Sequence, residues 1–422
     1  MKRAEALKHF EEEYSMPSFI EMDEEMDKYI DENRKELTVD FVENFRSLCN
    51  KIKVMQSEGK KGKIAHITYS FNIHNLQKES RDYVVQAFGT EWFLEEGEEC
   101  KINYNVGWIY DFLDRTYGKL LDISKKYIGN INGADMDQVW KDGIKYCDVR
   151  LLNFSKKAIK EAIQIDEFTA IDKEEVLEIR LGQQKGYNEI IHKIDTRVKD
   201  SKDIKFWLEN GEKSYSYSIL QNLDLSGGDY HGITCHNSDF SGSDLSNSSF
   251  EGASLIESVF VKSVIKNVTF EKAALTEVDL HETLIENSNF TDSDLMSGNV
   301  IGSTFNTCDL TRTILYNANL SNCKFINCIL KNAEFDGANL ENCDLSNQDL
   351  SGSLFVDTKL EGTDLSCSNF TDAEFIKIDL TKAKFDNAIF KNNKIKNVKI
   401  LAKDVDKLNL SKEQRKELTI VG

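Results

Sequence analysis

The chain has 422 residues, 40% of them hydrophobic and 30% charged, with a formal net charge of −19. That length accommodates two or three domains, and no apolar run of about 18 residues exists to span a membrane. The acidity excludes direct nucleic-acid binding by phosphate neutralisation, which depends on Lys and Arg.

The first residues, MKRAEALKHFEEEYS, are charged and lack an apolar signal core, so a cytoplasmic protein is expected. Nine cysteines (49, 100, 147, 235, 308, 323, 328, 343 and 367) are odd in number and never form CxxC. They read as free thiols of a reducing compartment.

Residues 1–215 show no short repeat and contain all four tryptophans, Trp92, Trp108, Trp140 and Trp207. A helix is expected near 19–35. Phe41, Phe45, Leu48, Cys49, Ile52 and Met55 recur at helical spacing, as do Ile109, Phe112, Leu113, Leu120 and Leu121. Gly59 to Lys63 form a basic turn without the P-loop spacing. In 64–73, Ala65, Ile67, Tyr69, Phe71 and Ile73 alternate as in a strand. Glu95 to Glu99, interrupted by Gly97, reads as a solvated acidic loop. Further helices are expected at 77–88, 134–146, 155–164 and 173–183. His66, His74 and His192 have no partner at metal-ligand spacing. The prediction is a mostly α-helical globular domain with a small β element. It carries no catalytic, cofactor or metal motif.

From Leu220 to Ile400 every fifth residue is apolar, Tyr or Cys, for 37 consecutive positions without an insertion. Two residues before each centre the side chain is usually small, as at Ser238, Ser243, Ala253, Cys308, Ala318 and Cys343. The residue between is often Asp or Asn, as at Asp239, Asp244, Asn289 and Asn319. Neither a helix nor an ordinary strand displays a five-residue period on one face. A coil that turns a corner every five residues does, and four sides close a square of 20. Centres and small residues then point inward and pack in alternation, while Asn, Asp, Ser and Gly suit the corners.

The units SDFSG (238–242), SDLSN (243–247), ANLSN (318–322), ANLEN (338–342) and TDLSC (363–367) resemble the pentapeptide-repeat family. The resemblance implies a right-handed quadrilateral β-helix over 216–402, so the fold class is α+β multidomain, a mostly helical N-terminal domain followed by a solenoid. Residues 403–422 form the C-terminal cap. Ser411 and Gln414 have capping-box spacing for a short helix through about Leu418. The resemblance also implies that such a cap can serve as a homodimer contact, and capping alone and capping with dimerisation stay open.

Departures from the repeat mark three further expectations. Gln348 and Ile378 occupy small slots, so Gln348 needs a buried partner or a wider coil. Cys308 above Cys328, and Cys323 above Cys343, read as packing rather than a metal site. His231 and His236 flank Cys235 at outward slots on different sides and do not converge.

The outward slots carry the functional reading. Met296, Ile314, Tyr316, Leu354, Val356 and Ile376 form an apolar stripe on one side. It reads as a partner surface or as a docking site for residues 1–215. Acidic candidates on the rod are Asp239, Asp244, Asp279, Asp294, Asp309 and Asp344. Residues 1–215 carry a net −8 and 216–422 a net −11. The expected function is a non-catalytic protein-interaction scaffold with a protein partner and no cofactor. Two alternatives stand beside it. The family resemblance implies a DNA mimic that binds DNA gyrase or another type II topoisomerase, inhibiting it or conferring antibiotic resistance. The other is an N-terminal enzyme or ligand sensor tethered to the rod.

Overall fold

The structure, a computed structural model, describes residues 2–72, 81–95, 98–183, 188–408 and 410–422. The chain divides into two compact units, 1–197 and 198–422.

The first unit opens with α1 (Arg3–Phe10), a π turn (Glu11–Ser15) and α2 (Met16–Ser57), 42 residues long. Pro17, the only proline, lacks an N–H to bond the carbonyl four residues back. The local shift to π geometry, with Met16 N–H donating to the Glu11 carbonyl, carries the helix past it. Phe19, Met22, Met26, Ile30, Leu37, Phe41, Phe45, Leu48 and Ile52 form one buried stripe along α2.

A five-stranded sheet follows in the order β3-β2-β1-β4-β5, formed by β1 (Ile64–Phe71), β2 (Asp82–Phe88), β3 (Cys100–Asn105), β4 (Lys173–Gln183) and β5 (Asn188–Asp195). Only the β1–β4 pair is parallel. Between β3 and β4 the chain forms α3 (Gly107–Ser124), α4 (Gly133–Ala162) and the short α5 (Asp166–Thr169). Ile67, Tyr69, Tyr83, Val85, Leu177 and Ile179 join the helices in one core.

The strand expected over 64–73 is present as β1, with Ala65, Ile67, Tyr69 and Phe71 buried; Ile73 and His74 lie outside the described residues. Two expected helices are strands. Residues 82–88 form β2, where Tyr83, Val85 and Ala87 alternate inward, and 77–80 lie outside the described residues. Residues 173–183 form β4: Leu177, Ile179 and Leu181 face the core while Glu178 and Arg180 do not, a two-residue period masked by charge-rich composition. The helices expected at 134–146 and 155–164 are one, α4.

The second unit starts earlier than 216. Helix α6 (Ser201–Asn210) is N-capped by Asp200, and its Leu208 is buried in the solenoid core beside Tyr215. Trp207 packs edge-on against Tyr215, with ring centroids 4.3 Å apart. Trp207 therefore belongs to the rod rather than to the domain before it. An apolar helix end covers the first coil, which would otherwise expose its core.

The five-residue phase is the coil. Parallel bridges join residues 20 apart, from Ser214↔Thr234 to Asp379↔Lys399. Every centre from Leu220 to Ile400 is buried. Phe240 stacks on Phe260 at 4.9 Å and Phe335 on Phe355 at 4.9 Å, about the rung spacing. The corners have one conformation. From Tyr217 to Asn397, the residue two after each centre has positive φ, with Lys382 the sole exception. Asn and Gly dominate there because they tolerate the left-handed region.

The small slot serves a second purpose. Ser243 Oγ donates to the Leu220 carbonyl of the preceding coil at 2.5 Å and accepts the Leu223 N–H at 2.9 Å. Its hydroxyl is thus inserted into the turn below. Ser238, Ser303 and Ser368 do the same. The four stacked cysteines donate their thiols to the same kind of carbonyl; Cys323 reaches Val300 at 2.9 Å and Cys343 reaches Leu320 at 2.8 Å.

At the C-terminus Ser411 and Gln414 form the expected capping box, but the helix spans only Lys412–Arg415. Leu418–Val421 is instead a strand pairing parallel with Val398–Leu401. Leu408 and Leu410 are buried in the rod core.

Candidate functional site

The stripe lies on one side of the coil, on strands or bridges whose backbone is bonded to the coils above and below. Successive rungs of that side pair Asp294↔Ile314, Ile314↔Glu334, Glu334↔Leu354 and Leu354↔Glu374. The parallel column runs Met296, Tyr316, Asp336, Val356, Ile376, with Val356↔Ile376 in register. All six apolar candidates are thus brought onto one side. Met296 is exposed, at 37%, and the other five are half-buried.

The sequence reading missed what lies between them. Glu334 and Asp336 occupy the rung between Ile314/Tyr316 and Leu354/Val356, so apolar and acidic rungs alternate. The signal is present in the sequence, where Ile314/Tyr316, Glu334/Asp336 and Leu354/Val356 follow one another at intervals of 20 residues. Burial and the charges of Glu334, Glu374 and Asp357 push the Asp336 carboxyl above the usual range. A hydrogen bond with Glu334, together with burial, pushes the Tyr316 hydroxyl up to about 12. Beyond Ile376 the side turns basic at Lys394 and Lys396, paired in register with Glu374 and Ile376.

The acidic candidates are not brought together. Asp239 and Asp279 lie on one side of the coil, Asp244 and Asp344 on the next, Asp309 on the third and Asp294 on the stripe side, as their positions modulo 20 require. Each accepts the backbone N–H two residues on: Asp239 from Ser241 at 2.8 Å, Asp244 from Ser246 at 2.9 Å, Asp279 from His281 at 3.3 Å, Asp294 from Met296 at 2.9 Å, Asp309 from Thr311 at 2.9 Å and Asp344 from Ser346 at 3.1 Å. These carboxylates close local turns, the reason Asp and Asn share the slot.

Charge is graded along the rod. Residues 216–376 contain 7 Lys and Arg against 24 Asp and Glu, whereas 377–422 contain 12 against 6. Many of the late lysines bind acids of the preceding coil: Lys377 with Asp357 at 3.1 Å, Lys394 with Glu374 at 2.8 Å, Lys399 with Asp379 at 2.9 Å and Lys407 with Asp386 at 2.6 Å. Lys382 pairs with Glu361 in the same way.

In the first unit the basic turn and the acidic loop meet. Lys61, buried at its side chain, pairs with Glu95 at 2.8 Å, and Lys60 approaches Glu98 at 3.6 Å; Glu96 and Gly97 lie outside the described residues. His66 packs on Trp92 with ring centroids 3.7 Å apart, and burial holds it down to about 4. The Asp148 carboxylate accepts the hydroxyls of Tyr83 at 3.2 Å and Tyr110 at 3.0 Å, and burial raises it to about 6. An open groove of about 410 Å³ is lined by Tyr29, Trp108 and Phe112 with charged Glu25, Lys28 and Arg115 at its rim. Among the described residues no cluster of three His, Cys, Asp or Glu is placed to hold a metal ion. His231 pairs with Asp229, and His236 with Ser254.

The repeat geometry has a counterpart in known proteins. The family model described as a pentapeptide repeat region matches residues 233–300, and the model of pentapeptide repeats in 8 copies matches 313–352 and 353–392.

Residues 233–392 are pentapeptide repeats.

The N-terminal domain matches no family model. No curated protein is significantly similar to the chain in sequence. Among solved structures, similarity is found to HetL, a pentapeptide repeat protein involved in heterocyst differentiation regulation from the cyanobacterium Nostoc sp. strain PCC 7120 (20% identity, 48% of this chain and 97% of that one, TM-score 0.30). QnrB1, a plasmid-mediated fluoroquinolone resistance protein, matches at 20% identity over 46% of this chain and 97% of its own, with a TM-score of 0.37. The pentapeptide repeat protein Rfr23 from the cyanobacterium Cyanothece 51142 matches at 17% identity over 46% and 97%, with a TM-score of 0.14. In the present chain no helix among the described residues is long and apolar enough to cross a membrane.

Proposed function

We propose that the chain is a non-catalytic protein-interaction scaffold whose rod meets a protein partner on the side bearing Met296, Ile314, Tyr316, Leu354, Val356 and Ile376. One observation carries this reading. Six apolar side chains share one outward side of the coil, Met296 exposed and the other five half-buried, in positions 20 residues apart that stack from coil to coil. Exposed apolar area of this kind is retained where it is covered by something else. The test is a partner captured by the full chain and identified by crosslinking. Changing Ile314, Tyr316, Leu354 and Val356 to Asp together abolishes that capture on this reading; undiminished capture removes the stripe as the contact.

A second reading rests on the excess of 24 acidic over 7 basic residues in 216–376. A narrow acidic rod can occupy the basic DNA-binding surface of a type II topoisomerase such as DNA gyrase, inhibiting it or shielding it from quinolones or toxins. The basic stretch 377–422 confines the mimicry to the earlier coils. Gyrase supercoiling unchanged by micromolar protein at low salt, with and without a quinolone, would remove it.

Self-association through the C-terminal cap is a further part of the proposal. Strand Leu418–Val421 pairs on one edge with Val398–Leu401, and Ile420 is exposed. A monomeric mass by light scattering at high concentration counts against it.

A further inference from the structure

The stripe side restricts what can bind it. Its ladder groups are taken along the axis: Ile314 N–H donates to the Ser293 carbonyl at 2.9 Å, Leu315 N–H to the Glu334 carbonyl at 2.8 Å, and Glu334 N–H to the Thr313 carbonyl at 3.0 Å. A partner strand therefore has no free edge to join, and only side chains can make the contact.

Those side chains alternate along the axis. Ile314 and Tyr316 form one rung, Glu334 and Asp336 the next, Leu354 and Val356 the one after. Rungs are about 4.8 Å apart, so the two apolar rungs are separated by about 9.6 Å. An α-helix lying along the rod advances about 10.5 Å in seven residues and about 5.3 Å in three and a half. Its positions i and i+7 fall on the apolar rungs, and i+3 or i+4 falls on the acidic rung between them. An extended peptide at about 3.3 Å per residue, with side chains alternating sides, does not keep this register.

The charge of the middle rung sets the chemistry. Asp336 Oδ1 is buried without a hydrogen-bond partner, and its neighbours Glu334, Glu374 and Asp357 are also acidic. The nearby lysines are committed elsewhere, Lys377 to Asp357 and Lys394 to Glu374. Apolar surface laid over this rung would further desolvate the Glu334 and Asp336 carboxyls, whereas a cation delivered there offsets their charge.

We infer that the stripe side receives an amphipathic helix of a partner protein, with apolar residues at i and i+7 and an Arg or Lys at i+3 or i+4 seated over Glu334 and Asp336. The inference rests on the reading of this side as the contact site.

The experiment uses the full chain and two labelled, stapled helices of equal length. Both have Leu at i and i+7; one has Arg at i+3 and i+4 and the other Glu. In fluorescence anisotropy the Arg helix binds at least about 10-fold more tightly, and the preference falls below about 2-fold in the double variant Glu334→Gln, Asp336→Asn. Both helices lose binding to Leu354→Asp, Val356→Asp. Equal binding of the two helices, a preference that survives the Gln/Asn change, or no binding of either helix overturns the basic-helix inference. Loss of binding in the Leu354/Val356 variant keeps the side as a contact even then. If that variant binds both helices as the parent does, the side itself is not the site. Circular dichroism of each variant, matched to the parent, separates lost contact from lost fold.

Discussion

The side-chain oxygen of Gln348 accepts the backbone N–H of Cys328, one coil earlier, at 2.7 Å. Elsewhere a serine hydroxyl performs this duty, as Ser368 does for the N–H of Gln348 itself at 3.1 Å. Gln348 also donates to the Ser346 carbonyl at 2.6 Å. A long polar side chain in a small slot is thus a longer version of the same bridge. Gln348→Leu should leave the Cys328 N–H unsatisfied and cost about 1–3 kcal/mol, while Gln348→Ser stays within about 1 kcal/mol of the parent. Urea unfolding followed on the rod's transition checks both; equal losses would contradict the bridge.

The corners supply a stabilising prediction. Lys262, Lys272 and Glu277 have φ of 59°, 56° and 56°, where a side chain with Cβ is strained. Replacing Lys272 by Gly or Asn should raise stability by about 0.5–1 kcal/mol, and replacing Asn342 by Val should lower it by about 1–2 kcal/mol. Lys382, which has no positive φ, should show no gain from Gly. Thermal unfolding of the three variants is the check.

Asp148 gives unit 1 a pH signature. Its folded value of about 6 lies above the ordinary 3.8 because burial disfavours the charge. Folding therefore favours the protonated acid. Well below 3.8 the group is neutral in both states; as pH rises from there towards 6 the unfolded chain ionises first and stability falls. Asp148→Asn should remove this decline and stabilise the domain by about 2 kcal/mol at pH 7. Denaturation of both proteins at pH 4 and pH 7 measures it; a parent that gains stability over this interval relative to the variant would refute the assignment.

The lysine pairs that tie the last coils should respond to salt. Each exposed pair contributes about 0.2–1 kcal/mol, and several act on the same coil. Lys394→Glu and Lys399→Glu together should speed amide exchange in the residues around 394–401 by at least about 5-fold, with little effect near Phe250. High salt should narrow the difference between parent and variant.

The rod was legible because its period is written into consecutive residues: each centre, slot and corner repeats every five positions, and no distant residue is needed to recognise it. The donor role of the small slot was not legible, since Ser243 and Ala253 look alike by size and the acceptor lies 23 residues back. The N-terminal sheet was harder for the opposite reason. Strand β4 pairs with β1, about a hundred residues earlier, and its Glu178 and Arg180 hide an alternation that becomes clear only beside Ile67 and Tyr69. Nothing local in residues 201–210 marks a helix as a lid, so the burial of Leu208 in the rod core is visible only in the structure. On the stripe side, Ile314 and Leu354 were found by their apolarity. Glu334 and Asp336 were not, because acidic side chains are common on this surface and only their rung gives them meaning.

The borrowed hydroxyls also give the rod a direction of completion. The turn at Leu220–Leu223 is finished only when Ser243 arrives, so a nascent chain emerging N-terminus first always ends in an unsealed layer. Where the slot holds Ser, as at Ser243, Ser303 and Ser368, translation cannot finish a turn without beginning the next layer. The series needs a terminator, and Gln414 is one: its amide donates to the Asn393 carbonyl at 2.6 Å. A ribosome halted anywhere before it would release a rod with a raw upper end.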